Sequence, residues 1–216
     1  KREMIAEIAA TIAFSAIQNN DKIGIIFFSN KIEKFIPPQK GKKHILFIIR
    51  ELLNLEPSNN GTDISMALRY LADALKKRCT TFLISDFIDQ NDYSKAMTIA
   101  SNKHDLIAIQ VYDKRETTLP NVGLIQIEDL ETGEKQLIDT SSKSTRNAFS
   151  KWWYDRQQKM IDTMNKSKVD LAPPILPPAF ILGAIMYAND CCAVICLLLS
   201  PNKHLNAGLI FAELKI

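Results

Sequence analysis

The run IGIIFF at residues 23–28 decides the fold class of this chain. A strand with one solvent-facing side alternates between apolar and polar residues, and this run does not. A continuous apolar run of this length is typical of a strand that is buried on both faces, as in a parallel sheet covered by helices. Residues 80–84 (TTFLI) and 106–112 (LIAIQVY) have the same character, so we predict a core of parallel strands.

Helical patterns occupy the segments around these strands. We predict helices over residues 3–18, 44–55, 63–77 and 93–101, where apolar side chains recur at helical spacing. The alternation of helix and buried strand indicates an α/β fold, with a doubly wound, mostly parallel sheet and helices on both faces.

Three further segments complete the predicted elements. Residues 31–36 alternate as a half-exposed strand, which Pro37-Pro38 should end. Residues 122–127 and 135–138 bracket the turn-rich segment ETGE and predict a β-hairpin.

Composition limits the function classes. The chain has 216 residues, 46% hydrophobic and 24% charged, which suits a globular domain with an extension. The formal charge of +3 is small, and no segment carries a long basic stripe with interleaved aromatic residues, which argues against a nucleic-acid partner. Cys79 is alone in the first 190 residues and no pair of CxxC units exists, so we expect a cytoplasmic protein without a zinc site.

Oxygen-bearing side chains stand at two points where strands or loops end. Gly61-Thr62-Asp63 precedes the third predicted helix, and Ser85-Asp86 follows the strand over residues 80–84. In an open parallel sheet, ligands bind beyond the carboxyl ends of the strands. A hydroxyl and a carboxylate at neighbouring strand ends suit a hard cation such as Mg²⁺.

Each of these residues also has a purely structural interpretation. Thr62 fits a helix N-cap, and Asp86 fits a turn at a strand end. We expect Asp63 to cap or solvate the helix start, Ser85 to orient the loop and Asp89 to begin the next helix.

The order of these elements resembles a von Willebrand factor A (vWA) domain. More narrowly, it resembles the bacterial family of unknown function DUF58, whose members are often encoded beside MoxR-type AAA+ ATPases. The resemblance covers residues 1–172 and spans consecutive elements. It rests on the stretches KREMIAEIAATIAFSA, DKIGIIFFSNKIEKFIPPQKG, GTDISMALRYL, CTTFLISDFID, HDLIAIQVYD and the helix that contains WW.

This resemblance implies a metal-ion-dependent adhesion site (MIDAS) with three parts. In the family, an Asp-x-Ser-x-Ser segment ends the first strand, a Thr follows in a second loop and an Asp in a third. Thr62 matches the second part and Asp86 the third, but no Asp-x-Ser-x-Ser occurs here. We therefore expect the chain to begin after that central first strand. We expect Mg²⁺ in the intact protein but not in this fragment.

An enzymatic interpretation centres on Asp86 as a phosphotransfer nucleophile. That chemistry needs a second carboxylate two residues on, where Ile88 stands. No glycine-rich phosphate loop exists, and neither His44 nor His104 is expected to pair with a Ser or Cys nucleophile. We therefore predict a protein that is not an enzyme.

Two adjacent tryptophans stand out on the long polar helix predicted over residues 142–167. Neighbouring helical residues point about 100° apart, so both indoles cannot face one seam. We expect one to pack in the core, and Trp153 is a candidate contact for a partner.

The tail, residues 173–216, differs in composition from the domain over residues 1–172. Pro173-Pro174 and Pro177-Pro178 predict a stiff linker. Residues 179–199 are long enough to cross a bilayer, but Asp190 costs about 2.5–3.5 kcal/mol on insertion. A C-terminus foreign to the domain, an anchor in the inner membrane and a buried hydrophobic helix remain open.

The main functional expectation is a non-enzymatic protein-interaction module. The resemblance suggests an adaptor that works with a MoxR-type AAA+ ATPase, with metal positions Thr62 and Asp86 and partner contacts at Asp63, Ser85 and Trp153. The alternatives are a Mg²⁺-dependent hydrolase or phosphotransferase that uses Asp86, and a membrane-tethered structural protein.

Overall fold

The computed structural model describes residues 2–55, 61–112, 116–128, 135–172 and 192–198. The described residues form two compact units. One consists of those within 1–111 and 163–201, and the other of those within 112–162.

A six-stranded sheet forms the centre of the first unit. Its strands are β1 (Lys22–Phe28), β2 (Ile32–Gln39), β3 (Thr80–Ser85), β4 (Asp105–Gln110), β7 (Asp170–Ala172) and β8 (Cys192–Leu198). They lie in the order β2-β1-β8-β3-β4-β7. Only the edge strand β2 is antiparallel to its neighbour, and the other four pairings are parallel.

Helices cover both faces of this sheet. They are α1 (Arg2–Gln18), α2 (Lys42–Asn54), α3 (Ile64–Ala74) and α4 (Ser94–Lys103). Helices α1 and α2 pack on each other and on β1, whereas α3 packs on α4 and β1. Ile25 and Phe27 join the core cluster with α1 and α2, while Ile26 and Phe28 are buried outside that cluster. The alternation confirms a doubly wound α/β fold in which β1 is buried on both sides.

The second unit contains the predicted hairpin. Strands β5 (Leu124–Glu128) and β6 (Lys135–Asp139) pair antiparallel. Helix α5 extends over Lys143–Lys166. Leu119, Ile138 and Phe149 form the local core.

Strand β2 continues through both prolines, so the expected stop at Pro37-Pro38 is wrong. Ile25 is paired with Ile36 and Ile23 with Gln39, and the pairing register shifts between them. Proline cannot donate to a ladder, but an edge strand with a bulge tolerates it.

The second difference is strand β8, which belongs to the segment predicted as a hydrophobic tail. It lies in the middle of the sheet, parallel to β1 over residues 22–28 and to β3 over residues 80–84. Val194, Ile195 and Cys196 are fully buried. An apolar run of this kind fits a helix as well as a strand, so periodicity alone did not separate the two. The remainder of the tail lies outside the described residues.

We expect Ile195→Ala to lower the free energy of unfolding by about 2–5 kcal/mol, because it leaves a cavity among α1, α2 and the sheet. Denaturant unfolding measures the change. The matched control is Ile99→Ala, since Ile99 is 56% exposed on α4, and its effect should stay within about 0.5 kcal/mol. Equal effects of the two substitutions would contradict the placement of β8.

Candidate functional site at the carboxyl ends of the strands

The carboxyl ends of three parallel strands, β1, β8 and β3, lie side by side. We call this end of the sheet the carboxyl edge. Phe28 at the end of β1 is the register partner of Leu198, and Leu197 is the partner of Ile84 in β3. The loops that follow β1 and β3 therefore leave the sheet at the same level, where open α/β sheets bind their ligands.

The loop before α3 is tied to the end of β1. The backbone N–H of Asp63 donates to the carbonyl oxygen of Ser29 at 3.0 Å. The Asp63 side chain caps α3, because its Oδ1 accepts from the N–H of Met66 at 2.7 Å. Asp63 is thus the cap, and Thr62 lies half-buried one residue before it.

The loop after β3 folds back on itself through its own side chains. The buried Ser85 hydroxyl accepts from the N–H of Phe87 at 2.9 Å. Asp86 Oδ1 accepts from the N–H of Ile88 at 3.1 Å. Phe87 has a φ of 56°, a left-handed conformation that is uncommon for an aromatic residue and that these two contacts help to hold. Ser85 orients this loop, as expected, and Asp86 remains half-buried beside it.

Asp89 links the two loops, a role that the sequence did not predict. Its Oδ2 accepts from the N–H of Ile64 at 2.8 Å, and its Oδ1 accepts from the N–H of Asn91 at 2.8 Å. Burial raises the pKa of Asp89 and the nearby negative charge of Asp63 adds to the rise, while the two backbone hydrogen bonds oppose it. The residue does not begin α4, which starts at Ser94.

The carboxylates at this edge are bonded to the backbone. Asp63, Asp86 and Asp89 each accept a hydrogen bond from a backbone N–H group through a carboxylate oxygen. Within the part of the chain that the structure describes, no group of three His, Cys, Asp or Glu residues is arranged to hold a metal ion. Residues 191–212, which include β8 and the segment after it, contain no acidic residue. A hard cation would need additional oxygen ligands here.

Trp153 lies on α5, in the second unit. It is the more buried of the two tryptophans, at 8% exposure, and its ring contacts Tyr112 with centroids 5.3 Å apart. Trp152 is half-buried and stacks on Phe149 at 5.6 Å. Little of the Trp153 ring is exposed to a partner in this conformation. The role of Trp153 as a partner contact stays a prediction.

A cysteine and a histidine meet just before the amino ends of β3 and β4, at the other end of these strands from the carboxyl edge. The Sγ of Cys79 lies 3.2 Å from the Nδ1 of His104, a contact that the sequence did not predict. Both side chains are buried, which closes the pair to a substrate in this structure. Burial lowers the pKa of His104, and the charges of Lys103 and Arg78 lower it further.

Comparison with known proteins identifies the chain. Residues 1–159 match the family described as protein of unknown function DUF58. The chain belongs to the DUF58 family. This confirms the family that the sequence resembles, and the mostly parallel sheet confirms the expected vWA-like fold class.

The curated relatives of this DUF58 chain are themselves uncharacterized. A protein of Mycobacterium tuberculosis is 24% identical over 135 residues, which cover 62% of this chain and 43% of that protein. A protein of Mycobacterium avium is 25% identical over 118 residues, covering 54% of this chain and 69% of that protein. The chain thus spans less than half the length of the M. tuberculosis relative.

One solved structure shares the fold. It is an aerotolerance-related membrane protein from Bacteroides fragilis, with a TM-score of 0.51 and 15% identity, and the match covers 85% of this chain and 87% of the other. Among the residues that the structure describes here, no helix is long and apolar enough to span a membrane. Residues 192–198 of the candidate span over 179–199 are strand β8, and the others lie outside the described residues.

We expect Asp63→Ala to destabilise the fold by about 0.5–2 kcal/mol, because the substitution removes the cap of α3. Asp63→Asn is the matched control, since an amide oxygen can accept the same bond from Met66 and should keep most of the stability. Denaturant unfolding compares the two variants. An alanine variant as stable as the asparagine variant would show that the cap contributes nothing.

The free energy of unfolding should also fall in mild acid because of His104. Its pKa in the folded protein lies below the ordinary value of 6.5, so below pH 6.5 the unfolded chain takes up the proton first. The stability is fully present above pH 6.5 and is lost as the pH falls towards the folded-state pKa. Unfolding measured from pH 7.5 to 5 should show this slope in the native chain and a flatter one in His104→Gln. The same slope in both would contradict the assignment.

Proposed function

We propose that this DUF58 chain is a non-enzymatic protein-interaction module that binds its partner at the carboxyl edge of the sheet. The observation that carries the proposal is the bonding of three loops into one polar surface. Asp63 N–H is bonded to Ser29, and Ile64 N–H is bonded to Asp89. Loops positioned by a rigid scaffold are where binding residues concentrate.

The chemistry of this edge favours recognition over turnover. The carboxylates of Asp63, Asp86 and Asp89 accept backbone N–H bonds, which fixes their positions and stabilises the loops. Ile88, not a second carboxylate, follows Asp86 at the position that phosphotransfer would need, and its side chain is buried. A fixed, negatively charged surface suits a basic or polar patch on a partner.

The partner that we propose is a MoxR-type AAA+ ATPase, with this chain as its adaptor in the cytoplasm. The resemblance of residues 1–172 to DUF58 proteins supports this choice. Thr62 and Asp86 would be the two adhesion-site positions at the interface, with Asp63 and Ser85 beside them.

We further propose that Mg²⁺ is bound in the intact protein and not by this fragment. Thr62 and Asp86 match two parts of the adhesion site, and an Asp-x-Ser-x-Ser segment is not present to complete it. Mg²⁺ would bind only to a chain that carries those further ligands.

The proposal predicts that Asp86→Ala weakens binding to a MoxR-type ATPase from the same genome by about tenfold or more, as measured by biolayer interferometry. Asp105→Ala is the control, because Asp105 is exposed at the amino end of β4, far along the strand from the carboxyl edge. Binding by this variant should be unchanged. Excess EDTA should leave the affinity as it is.

Three outcomes would contradict parts of this proposal. Equal binding by both variants would remove the carboxyl edge from the interface. Loss of binding in EDTA would show that a metal takes part. Turnover of a phosphate ester by the native chain, abolished in Asp86→Asn, would favour the hydrolase or phosphotransferase alternative.

A further inference from the structure

Strand β8 completes the sheet from the far end of the described chain. It is the last described element in sequence, yet it lies between β1 and β3, which precede it by more than a hundred residues. The preceding strand β7 pairs only with β4 at the edge of the sheet. β8 therefore enters between two strands and does not extend an edge.

The position that β8 fills is a slot for one parallel, apolar strand. β1 pairs with it along Lys22–Phe28 and β3 along Thr80–Ile84. Val194, Ile195 and Cys196 have no exposed surface, so both faces of the strand are covered. Without β8, two strand edges would present unpaired backbone groups to each other across the gap.

The walls of this slot are held together by contacts that do not involve β8. Helix α3 packs on both β1 and α4, and α4 packs on β4. Ile25 of β1 and Phe82 of β3 belong to one core cluster with α1 and α2, and Ile195 of β8 belongs to the same cluster. β8 can therefore exchange through a partly opened form in which these helix contacts remain, and a strand that refills the slot restores the sheet.

The strand itself is chemically suited to leave one slot and enter another of the same kind. Its sequence, CAVICLL, has no charge and no proline, so exposure to water is unfavourable and any matching slot is preferred. The slot of a second copy offers the same pairings as its own. Exchange of an identical element between copies is a low-cost route to a dimer.

We propose that the slot between β1 and β3 is a strand-binding site whose partner is the Cys192–Leu198 segment of a second copy of this chain. Two copies exchange their β8 strands, and the exchanged form increases with protein concentration. A tethered strand competes at an effective concentration on the order of millimolar, so exchange becomes measurable when the protein approaches that range.

Disulfide trapping tests both the slot and the exchange. Lys22 and Cys192 are register partners in neighbouring strands, which lie about 4.8 Å apart, within the Cα separation that a disulfide spans. The variant is Lys22→Cys in a Cys191→Ser background, and Lys22 is exposed, so the fold should tolerate the change. Cys79 and Cys196 are buried and should not compete.

Oxidation at about 1 µM should give an internal disulfide, and oxidation after equilibration near 1 mM should give a growing fraction of covalent dimer. Non-reducing gels separate the two products, and light scattering of the native chain should show the same increase in dimer. Adding Cys192→Ser should abolish both products. Gln39→Cys should form neither, since its strand β2 is separated from β8 by β1.

Two results would overturn the proposal. An internal disulfide at every concentration, with no dimer, would show that β8 fills the slot but does not exchange. No disulfide of either kind, in a variant that unfolds as cooperatively as the native chain, would show that β8 does not lie beside β1.

Discussion

The parallel pairing of β8 with β1 on one side and β3 on the other is the constraint on which the rest of the structure depends. It joins the β2-β1 pair to the β3-β4-β7 group in one sheet. It also sets the register that brings the ends of β1 and β3 to one level. The loops of the candidate site can meet only because those two strands end together.

Above that edge, a small number of backbone hydrogen bonds determines what the surface can do. The bonds from Asp63 N–H to Ser29 and from Ile64 N–H to Asp89 join three loops. The carboxylates of Asp63, Asp86 and Asp89 accept backbone N–H bonds that stabilise turns and a helix start. Fixed side chains on a rigid scaffold favour recognition by a partner. The buried Cys79–His104 pair takes no part in this surface, since it lies at the other end of β3.

The local sequence patterns predicted those elements that depend on residues close together in the chain. The apolar run in β1, the helical periods of α2 and α3 and the possible cap at Asp63 depend on neighbouring residues, and each is found. Three features could not be predicted, because they depend on contacts distant in sequence. β8 becomes a strand only between two partners, Asp89 acts through a bond to Ile64, and His104 meets Cys79 across two strands. Pro37-Pro38 was misjudged because the edge position of β2 is a property of the sheet.

Hydrogen–deuterium exchange of the full chain, followed by mass spectrometry, tests the central place of β8 most directly. A strand bonded on both sides exchanges its amide hydrogens only when the sheet opens. The amides of residues 192–198 should therefore be protected to the same degree as those of β3, at residues 80–85. Exchange of residues 192–198 within seconds, while β3 stays protected, would show that β8 is not part of the sheet and would contradict this account of the fold.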